Sequence, residues 1–217
     1  MATSAIALFT DFGFAFPAPW ENQSLDPIVQ NQPIVVLGAG TNIATFFTRL
    51  ATRVLGIKNI IAVAGPTNTA TLLRAGASQV FDRQLPQDEL VARVRAAAGG
   101  QDKVVRINDC ASWTHELAAA LLSPSGPSRL AALHRVDEAK VQESRPLCKA
   151  TLVQNTNLNL GKHAVEFWKT LPKWVEEGIA EPTAFKTLDG LESVDVINAQ
   201  LDDYAAGKPG KKLTVHP

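Results

Sequence analysis

Residues 33–82, which begin PIVVLGAGTNIATFF, decide the fold predicted for this chain. An apolar run at Ile34–Leu37 is followed at once by two glycines and by a helical pattern over residues 42–55. A second apolar run, Ile60–Ala64, follows after the length of one crossover connection. A strand, a glycine turn, a helix and a second strand in this order form a βαβ unit, whose strands are parallel. The stretch therefore predicts a parallel sheet that is covered by helices.

The glycine turn after the first strand occupies the position of a dinucleotide-binding fingerprint, but it lacks one of the glycines of that fingerprint. Gly38 and Gly40 allow a tight turn and a close approach of the backbone to a pyrophosphate, whose charge the start of the following helix favours. The third glycine position is occupied by Ile43 or Ala44, depending on the register, and the side chains from Asn42 onward narrow the gap that a phosphate needs. Such a turn can also be purely structural, so both roles stay open.

The residues after the second strand normally select the cofactor. An acidic residue there binds the ribose 2′-hydroxyl of NAD, and a nearby arginine suits the 2′-phosphate of NADP. The sequence has Gly65-Pro66-Thr67-Asn68, without charge, although Thr67 and Asn68 can hydrogen-bond weakly to a phosphate. We therefore expect no cofactor or weak NADP binding, with NAD disfavoured. The candidate cofactor-binding residues are Gly38, Gly40, Thr41, Asn42, Ile43, Thr67, Asn68 and Cys110.

Strand-like apolar runs alternate with helical patterns over much of the remaining chain. Further strands are predicted at 79–81, 104–107, 129–133 and 151–153, and helices at 69–75, 87–98 and 112–122. This alternation predicts a Rossmann-type, doubly wound α/β fold with a mainly parallel sheet of about six strands. We expect one domain over residues 1–217, with a helix at 3–12, a Pro-rich loop at 14–33, helices at 161–177 and 191–206, and a strand at 212–215. Pro172 should end or kink the helix at 161–177 near Leu171.

Composition excludes several classes of function. The chain of 217 residues is 46% hydrophobic and 19% charged, as in an ordinary globular protein, and its 21 basic residues balance its 21 acidic ones. No overall field therefore attracts nucleic acid or an anionic membrane surface. Cys110 and Cys148 show no zinc-ligand spacing, so we expect buried free thiols and no metal site. The N-terminal sequence has the features of neither a signal peptide nor a membrane span, and a cytoplasmic location is expected.

Polar side chains follow three of the predicted strands, at the ends where a parallel sheet binds its ligands. They are Asp109, Cys110, His134, Gln154 and Asn155. Asp109 and His134 are the candidate catalytic residues, because both suit proton transfer near neutral pH. Asp109 can instead cap the helix near Ser112, and His134 can be an ordinary surface histidine. His115 and His163 lie inside predicted helices and are expected to be structural.

Several segments together resemble the cofactor domain of medium-chain dehydrogenase/reductases. They are Val35-Val36-Leu37-Gly38-Ala39-Gly40, Arg49-Leu50-Ala51, Leu73-Arg74-Ala75-Gly76-Ala77-Ser78-Gln79-Val80-Phe81-Asp82 and Asp109-Cys110-Ala111-Ser112. The tail from Trp174 onward is most similar to fungal zinc-independent enoyl reductase-like and quinone oxidoreductase-like members. The resemblance covers nearly the whole chain. It implies a homodimer that pairs through the edge strand of the sheet, in the segment from Thr151 to Leu160.

The resemblance also reveals two departures from the family. Members carry an N-terminal barrel-like catalytic domain, whereas residues 2–9 of this chain already resemble the helix that enters the cofactor domain. Almost the entire catalytic domain is therefore expected to be missing. In addition, the quinone oxidoreductase-like loop would place glycines where Asn42 and Ala44 stand. Both departures count against hydride transfer by the usual arrangement.

Three functions are open to such a chain. The preferred hypothesis is a truncated enzyme that acts on a small apolar metabolite by non-redox cyclisation, isomerisation or dehydration in the former cofactor cleft. The enoyl reductase-like relatives imply that this substrate is polyketide-like. The alternatives are an NADP-dependent enone or quinone reductase and a non-catalytic partner subunit. The changed glycine turn favours the non-redox enzyme or the partner subunit over the reductase.

Overall fold

The computed structural model describes residues 1–154, 157–181, 185–189, 194–206 and 212–216. The chain divides into two compact units, Met1–Ala180 and Glu181–Pro217, and each is described by itself. A single domain over the whole chain stays a prediction.

A six-stranded parallel sheet organises the first unit. Its strands are β1 (Ile34–Leu37), β2 (Ile60–Ala64), β3 (Gln79–Asp82), β4 (Arg106–Asp109), β5 (Ser128–Ala132) and β6 (Cys148–Leu152). They lie in the order β3-β2-β1-β4-β5-β6, so the chain runs from β1 to one edge and then from β4 to the other. The predicted Rossmann-like α/β fold is confirmed. In such sheets, ligands bind where the connections from the two central strands diverge, here beyond the carboxyl ends of β1 and β4.

Helices cover both faces of this sheet. They are α1 (Ala2–Phe9), α2 (Pro27–Asn31), α3 (Asn42–Arg49), α4 (Thr69–Ala75), α5 (Gln87–Ala97), α6 (Glu116–Leu121), α7 (Glu138–Ser144), α8 (Asn157–Leu160) and α9 (Ala164–Glu176). A π-helix, Leu50–Val54, continues α3, and short 3-10 helices occupy Pro66–Asn68, Gln101–Lys103 and Gly161–His163. In the part of the chain that the structure describes, no helix has both the length and the apolar character needed to cross a membrane.

Successive residues of each strand point into two different cores. Val36 and Ile60 belong to the core that includes residues of α1, α3 and α9, and Val35 and Ile61 belong to the core that includes residues of α5, α6 and α7. We call these two sides the α1 face and the α6 face. β1 and β2 are buried along their whole length, which explains why their sequences are continuously apolar instead of alternating.

Two boundaries near the N-terminus differ from the predictions for local reasons. α1 ends at Phe9 and not at residue 12, because Thr10 adopts an extended backbone conformation. The loop predicted at 14–33 contains α2, a helix of one to two turns. The carboxylate of Asp26 caps it by accepting a hydrogen bond from the Ile28 amide at 2.7 Å.

Two helices of the second half differ from the predictions, although a kink at Pro172 stays a prediction. α9 continues through Pro172 and does not end near Leu171. It buries Phe167 before the proline and Trp174 after it, and this packing supports the helix on both sides of the missing amide. α7 was not predicted at all, because Val141 is its one buried side chain and its sequence shows no apolar stripe.

β6 lies at one end of the strand order and contains Thr151, whereas Asn157–Leu160, the end of the predicted edge segment, form α8. The pairing of two chains along it stays a prediction. Asn155, which was predicted to follow this strand as a ligand-binding residue, lies outside the described residues.

The second unit contains β7 (Phe185–Asp189), α10 (Val194–Ala205) and β8 (Lys212–His216). β7 and β8 are parallel, and Phe185 lies opposite Lys212 in their register. The strand predicted at 212–215 is confirmed, whereas β7 was not predicted. Residues 191–193, where the helix before it was predicted to begin, lie outside the described residues.

Candidate functional site

The glycine turn between β1 and α3 is closely packed on both sides. Gly38 has a φ of +64°, and a Cβ there would lie 2.4 Å from the Cβ of Ala111, so glycine is required where the turn passes the loop after β4. A Cβ on Gly40 would lie 2.6 Å from Nδ2 of Asn68. The carboxamide of Asn68 therefore fills the space that the missing side chain of Gly40 leaves open.

The first turn of α3 still offers amides to a ligand. The hydroxyl of Thr41 accepts a hydrogen bond from the Ala44 amide at 3.2 Å and so caps the helix. Asn42 and Ile43 provide the first two amides of α3, which have no acceptor within the helix. Ile43 places a half-buried side chain at this position, where the sequence predicted that a phosphate would be hindered.

The turn after β2 carries no charge of its own, but a cation lies beside it. Thr67 and Asn68 belong to the 3-10 helix Pro66–Asn68. The amide of Arg83 donates a hydrogen bond to the Ala64 carbonyl at 3.0 Å, so this exposed arginine stands next to the end of β2. The sequence analysis missed Arg83 because it follows β3, and the pairing of β2 with β3 brings it here.

Asp109 is fully buried, and both oxygens of its carboxylate have hydrogen-bond partners. One carboxylate oxygen accepts hydrogen bonds from the amides of Ala111 at 3.2 Å and Ser112 at 3.0 Å, as in an Asx turn. The other oxygen lies 2.8 Å from Nδ1 of His115. Asp109 therefore caps the turn after β4 and not a helix at Ser112, since α6 begins at Glu116. Its catalytic role stays a prediction.

His115 completes a buried ion pair with Asp109. It stands just before α6, in the left-handed conformation with a φ of 57°, and not inside a helix as predicted. Its Nε2 lies 3.3 Å from the carbonyl oxygen of Arg135, which can only accept, so Nε2 carries a proton. The hydrogen bond to Asp109 raises the pKa of His115 in spite of its burial. The imidazolium thus ties the loop after β4 to the loop after β5.

His134 and Trp113 form a stacked pair at the carboxyl edge of the sheet. Their ring centroids are 3.8 Å apart, with an angle of 28° between the rings. His134 is half-buried, whereas Trp113 is 75% exposed. Trp113 was not singled out from the sequence, where it fell inside the helix predicted at 112–122, whereas α6 begins only at Glu116.

Cys110 is an inert thiol in this environment. It is 6% exposed, and burial, reinforced by the negative charge of Asp109, raises the pKa of its thiol. Burial also raises the pKa of Cys148, and both cysteines are free. A protonated thiol is a poor nucleophile, so Cys110 is suited to lining the turn beside Thr41 and not to covalent chemistry.

A cavity of about 520 Å³ lies at the carboxyl ends of β5 and β6, next to the first turn of α3. We call it the crest cavity, and its walls are formed by Thr3, Ile43, Leu133, Arg135, Leu152, Val153 and Gln154. Four of these side chains are aliphatic, and Arg135 and Gln154 are exposed polar groups. Neither Asp109 nor His134 belongs to these walls. Among the described residues, no three His, Cys, Asp or Glu side chains are grouped so as to hold a metal ion.

The fold, but not the sequence, matches known proteins. No protein-family model and no curated protein matches the chain. The structure of the JamJ enoyl reductase in its apo form is 15% identical, with 99% of this chain covering 59% of that chain at a TM-score of 0.70. This chain shares the fold of the part of that enoyl reductase that it matches. The resemblance predicted from the sequence is confirmed at the level of the fold.

Two further similar structures are a cyclopropanase and an NADPH complex. The CurF cyclopropanase of the curacin A biosynthetic pathway is 18% identical, and 99% of this chain covers 59% of it at a TM-score of 0.67. A mycobacterial protein in complex with NADPH is also 18% identical, and the whole of this chain covers 66% of it at a TM-score of 0.63. The chain thus spans about 59% of the length of the enoyl reductases and the cyclopropanase that it resembles.

Proposed function

We propose that this protein binds a small, mainly apolar molecule in the crest cavity and promotes a non-redox reaction of it: cyclisation, isomerisation or dehydration with release of water. The observation that carries the proposal is the cavity itself, where Ile43, Leu133, Leu152 and Val153 converge at the carboxyl edge of the sheet. Its volume of about 520 Å³ lies in the range of small-molecule sites, which are mostly apolar with a few polar groups. One of the similar structures is a cyclopropanase, which supports ring formation on this fold.

The polar groups of the cavity suit a carbonyl-bearing substrate. The guanidinium of Arg135 can donate hydrogen bonds to a carbonyl oxygen and stabilise negative charge that develops there. The amide of Gln154 offers a second donor at the same edge. Asp109 is fully buried and His134 does not line the crest cavity, so the proposal assigns proton transfer to neither of them. Their acid–base roles stay predictions.

NADP fits the glycine turn poorly, and we propose weak binding. NADP would supply hydride chemistry if bound, with its pyrophosphate over Gly40 and the amides of Asn42 and Ile43. The carboxamide of Asn68 occupies the approach to Gly40, so a pyrophosphate would first have to displace it.

An NADP-dependent enone or quinone reductase is the second candidate. The observation that favours it is the exposed Arg83 beside the end of β2, where an arginine can bind the 2′-phosphate of NADP. One of the similar structures is also described as an NADPH complex. This candidate needs Asn68 to swing away from Gly40.

The binding proposal is tested with 2-undecanone, an apolar ketone, as the probe. Ile43→Trp fills the crest cavity from the first turn of α3, and we expect the affinity measured by calorimetry to fall by about tenfold or more. Ile28→Trp makes the same change at a position that is 71% exposed in α2 and should leave the affinity unchanged. Equal affinity of the wild type and Ile43→Trp would contradict the proposal.

A second measurement separates the two candidate functions. We expect calorimetric titration of the wild type with NADP to give a dissociation constant weaker than about 1 μM. Asn68→Gly clears the space over Gly40 and should strengthen NADP binding, whereas Asn31→Gly, in the exposed last turn of α2, should not. Tight binding of NADP to the wild type, with oxidation of NADPH by an enone or quinone, would establish the reductase instead.

A further inference from the structure

A second and larger cavity lies on the α6 face, between α6 and α7. Its volume is about 630 Å³, and it opens beside the loops that follow β4 and β5. Arg135 lines both this cavity and the crest cavity, so the loop after β5 separates the two. The proposed function makes no use of this second space, which we call the α6–α7 cavity.

Trp113 forms an aromatic wall of the α6–α7 cavity. Its indole is 75% exposed, although a side chain of this size is normally buried for most of its surface. His134 covers one face of the indole, at a centroid distance of 3.8 Å, and the stack fixes the orientation of the ring. The opposite face is left for a second flat ring, since aromatic rings stack with their faces offset.

The walls next to Trp113 are held rigid by buried hydrogen bonds. His115, at the back of the cavity, is bonded to Asp109 and to the Arg135 carbonyl, and it joins the two loops that flank the opening. The amide of His115 also donates to the hydroxyl of Ser112 at 2.9 Å. A site that is already ordered loses less conformational entropy when a ligand binds.

The charges around the α6–α7 cavity balance each other, apart from the paired His115. Arg135, Lys140 and Arg145 are matched by Glu116, Asp137 and Glu143. The remaining wall is aliphatic and includes Ala119, Ala120, Val136 and Val141. A balanced rim around an aliphatic wall gives no net attraction to an anion or a cation and favours a neutral ligand.

We propose that the α6–α7 cavity is a second binding site, separate from the crest cavity, for a neutral molecule with a flat aromatic ring that stacks on Trp113. Stacking supplies the orientation, and the aliphatic wall takes the rest of the molecule. The proposal does not depend on the chemistry of the crest cavity, so either can fail without the other.

The test uses naphthalene-2-carboxamide, a neutral flat aromatic compound, and its fully saturated counterpart decahydronaphthalene-2-carboxamide. We expect the aromatic compound to bind to the wild type and Trp113→Ala to weaken its binding by about tenfold or more, as for other stacked aromatic ligands. Trp168→Ala removes a 47% exposed tryptophan of α9 and is the matched control, with unchanged binding. The saturated compound should bind more weakly than the aromatic one.

Three results would overturn the proposal. Equal affinity of the wild type and Trp113→Ala would show that the indole is not the platform. Equal affinity for the aromatic and the saturated compound would show that stacking is not used. A loss of binding in Ile43→Trp, which fills the crest cavity, would show that the ring binds there and not between α6 and α7.

Discussion

His115 and His163 are both buried, yet their surroundings favour opposite charge states. His115, 3% exposed on the α6 face, faces the carboxylate of Asp109, and this hydrogen bond raises the pKa of His115. His163, 5% exposed at the end of the 3-10 helix Gly161–His163, accepts a hydrogen bond at Nδ1 from the indole N–H of Trp20, 3.2 Å away. An indole nitrogen can only donate, so Nδ1 of His163 carries no proton.

The charges around His163 reinforce this difference. Burial lowers its pKa most, the nearby Glu21 raises it and Lys162 lowers it again. Glu21 and Lys162 are themselves paired at 2.6 Å, so they largely cancel at the histidine. The comparison teaches that burial alone does not set the charge of a histidine: an acceptor at both nitrogens favours the cation, and a donor at one nitrogen favours the neutral ring.

The largest effect is expected when the ion pair of the α6 face is broken. Asp109→Ala leaves the imidazolium of His115 without its partner, and loss of one member of a buried ion pair costs about 3–5 kcal/mol in the free energy of unfolding. Urea denaturation measures this cost. Asp26→Ala removes an exposed helix cap and should cost about 1 kcal/mol. If the two variants are equally stable, the pair does not hold the two loops together.

A smaller effect is expected at the neutral histidine. Trp20→Phe keeps an aromatic ring against Phe9 and Trp174 but removes the N–H that binds His163. An unsatisfied buried acceptor costs about 1–3 kcal/mol, which urea denaturation can resolve. Trp168→Phe, on the exposed side of α9, is the control and should be close to neutral. If Trp20→Phe lowers the free energy of unfolding no more than the control does, the hydrogen bond to His163 contributes nothing to stability.

The smallest effect is the one that distinguishes the two charge states directly. Because the pKa of His115 is raised from its ordinary 6.5, its stabilising contribution is present below pH 6.5 and is lost as the pH rises through the folded-state pKa. The pKa of His163 is lowered from the same value, so its contribution is present above pH 6.5 and is lost as the pH falls through the folded-state pKa.

The measurement is urea denaturation from about pH 5 to about pH 8, where histidine titrates. His115→Gln should reduce the loss of stability on the alkaline side, and His163→Gln should reduce the loss on the acidic side. The comparison of the two histidines is wrong if both variants alter the same side of the profile.

The sheet was predictable because the local sequence of each central strand already indicates a buried strand. Ile34–Leu37 and Ile60–Ala64 are apolar runs buried on both faces, and a glycine turn between the first run and a helix indicates a parallel pair without any knowledge of distant contacts. The candidate turn residues Gly38 and Gly40 follow from the same local pattern. The fold class therefore required no tertiary information.

The details of the site depend on contacts that no local pattern encodes. The sequence analysis identified Asp109 as a catalytic candidate and His115 as a structural residue, but it did not predict that they pair. The pairing needs a left-handed backbone at His115, which no sequence pattern indicates. Arg83 stands beside β2 through strand order, and Asn68 reaches Gly40 across two connections. The stack of Trp113 on His134 likewise joins two loops that follow different strands.

The π-helix after α3, Leu50–Val54, makes the number of residues in this segment important for the contacts around it. Its wider turn lets the Thr52 hydroxyl bond the Ala75 carbonyl at 3.1 Å, and lets Arg53 bond the Gly178 carbonyl at 2.9 Å. Deleting one residue there would restore an ordinary α-helix and rotate the positions beyond it by about 100°. Thr52 would then move away from Gly76, where it now packs so closely that a Cβ on Gly76 would lie 2.4 Å from the Thr52 hydroxyl oxygen. During evolution, this segment can thus accept substitutions along Leu50–Val54 more easily than a deletion.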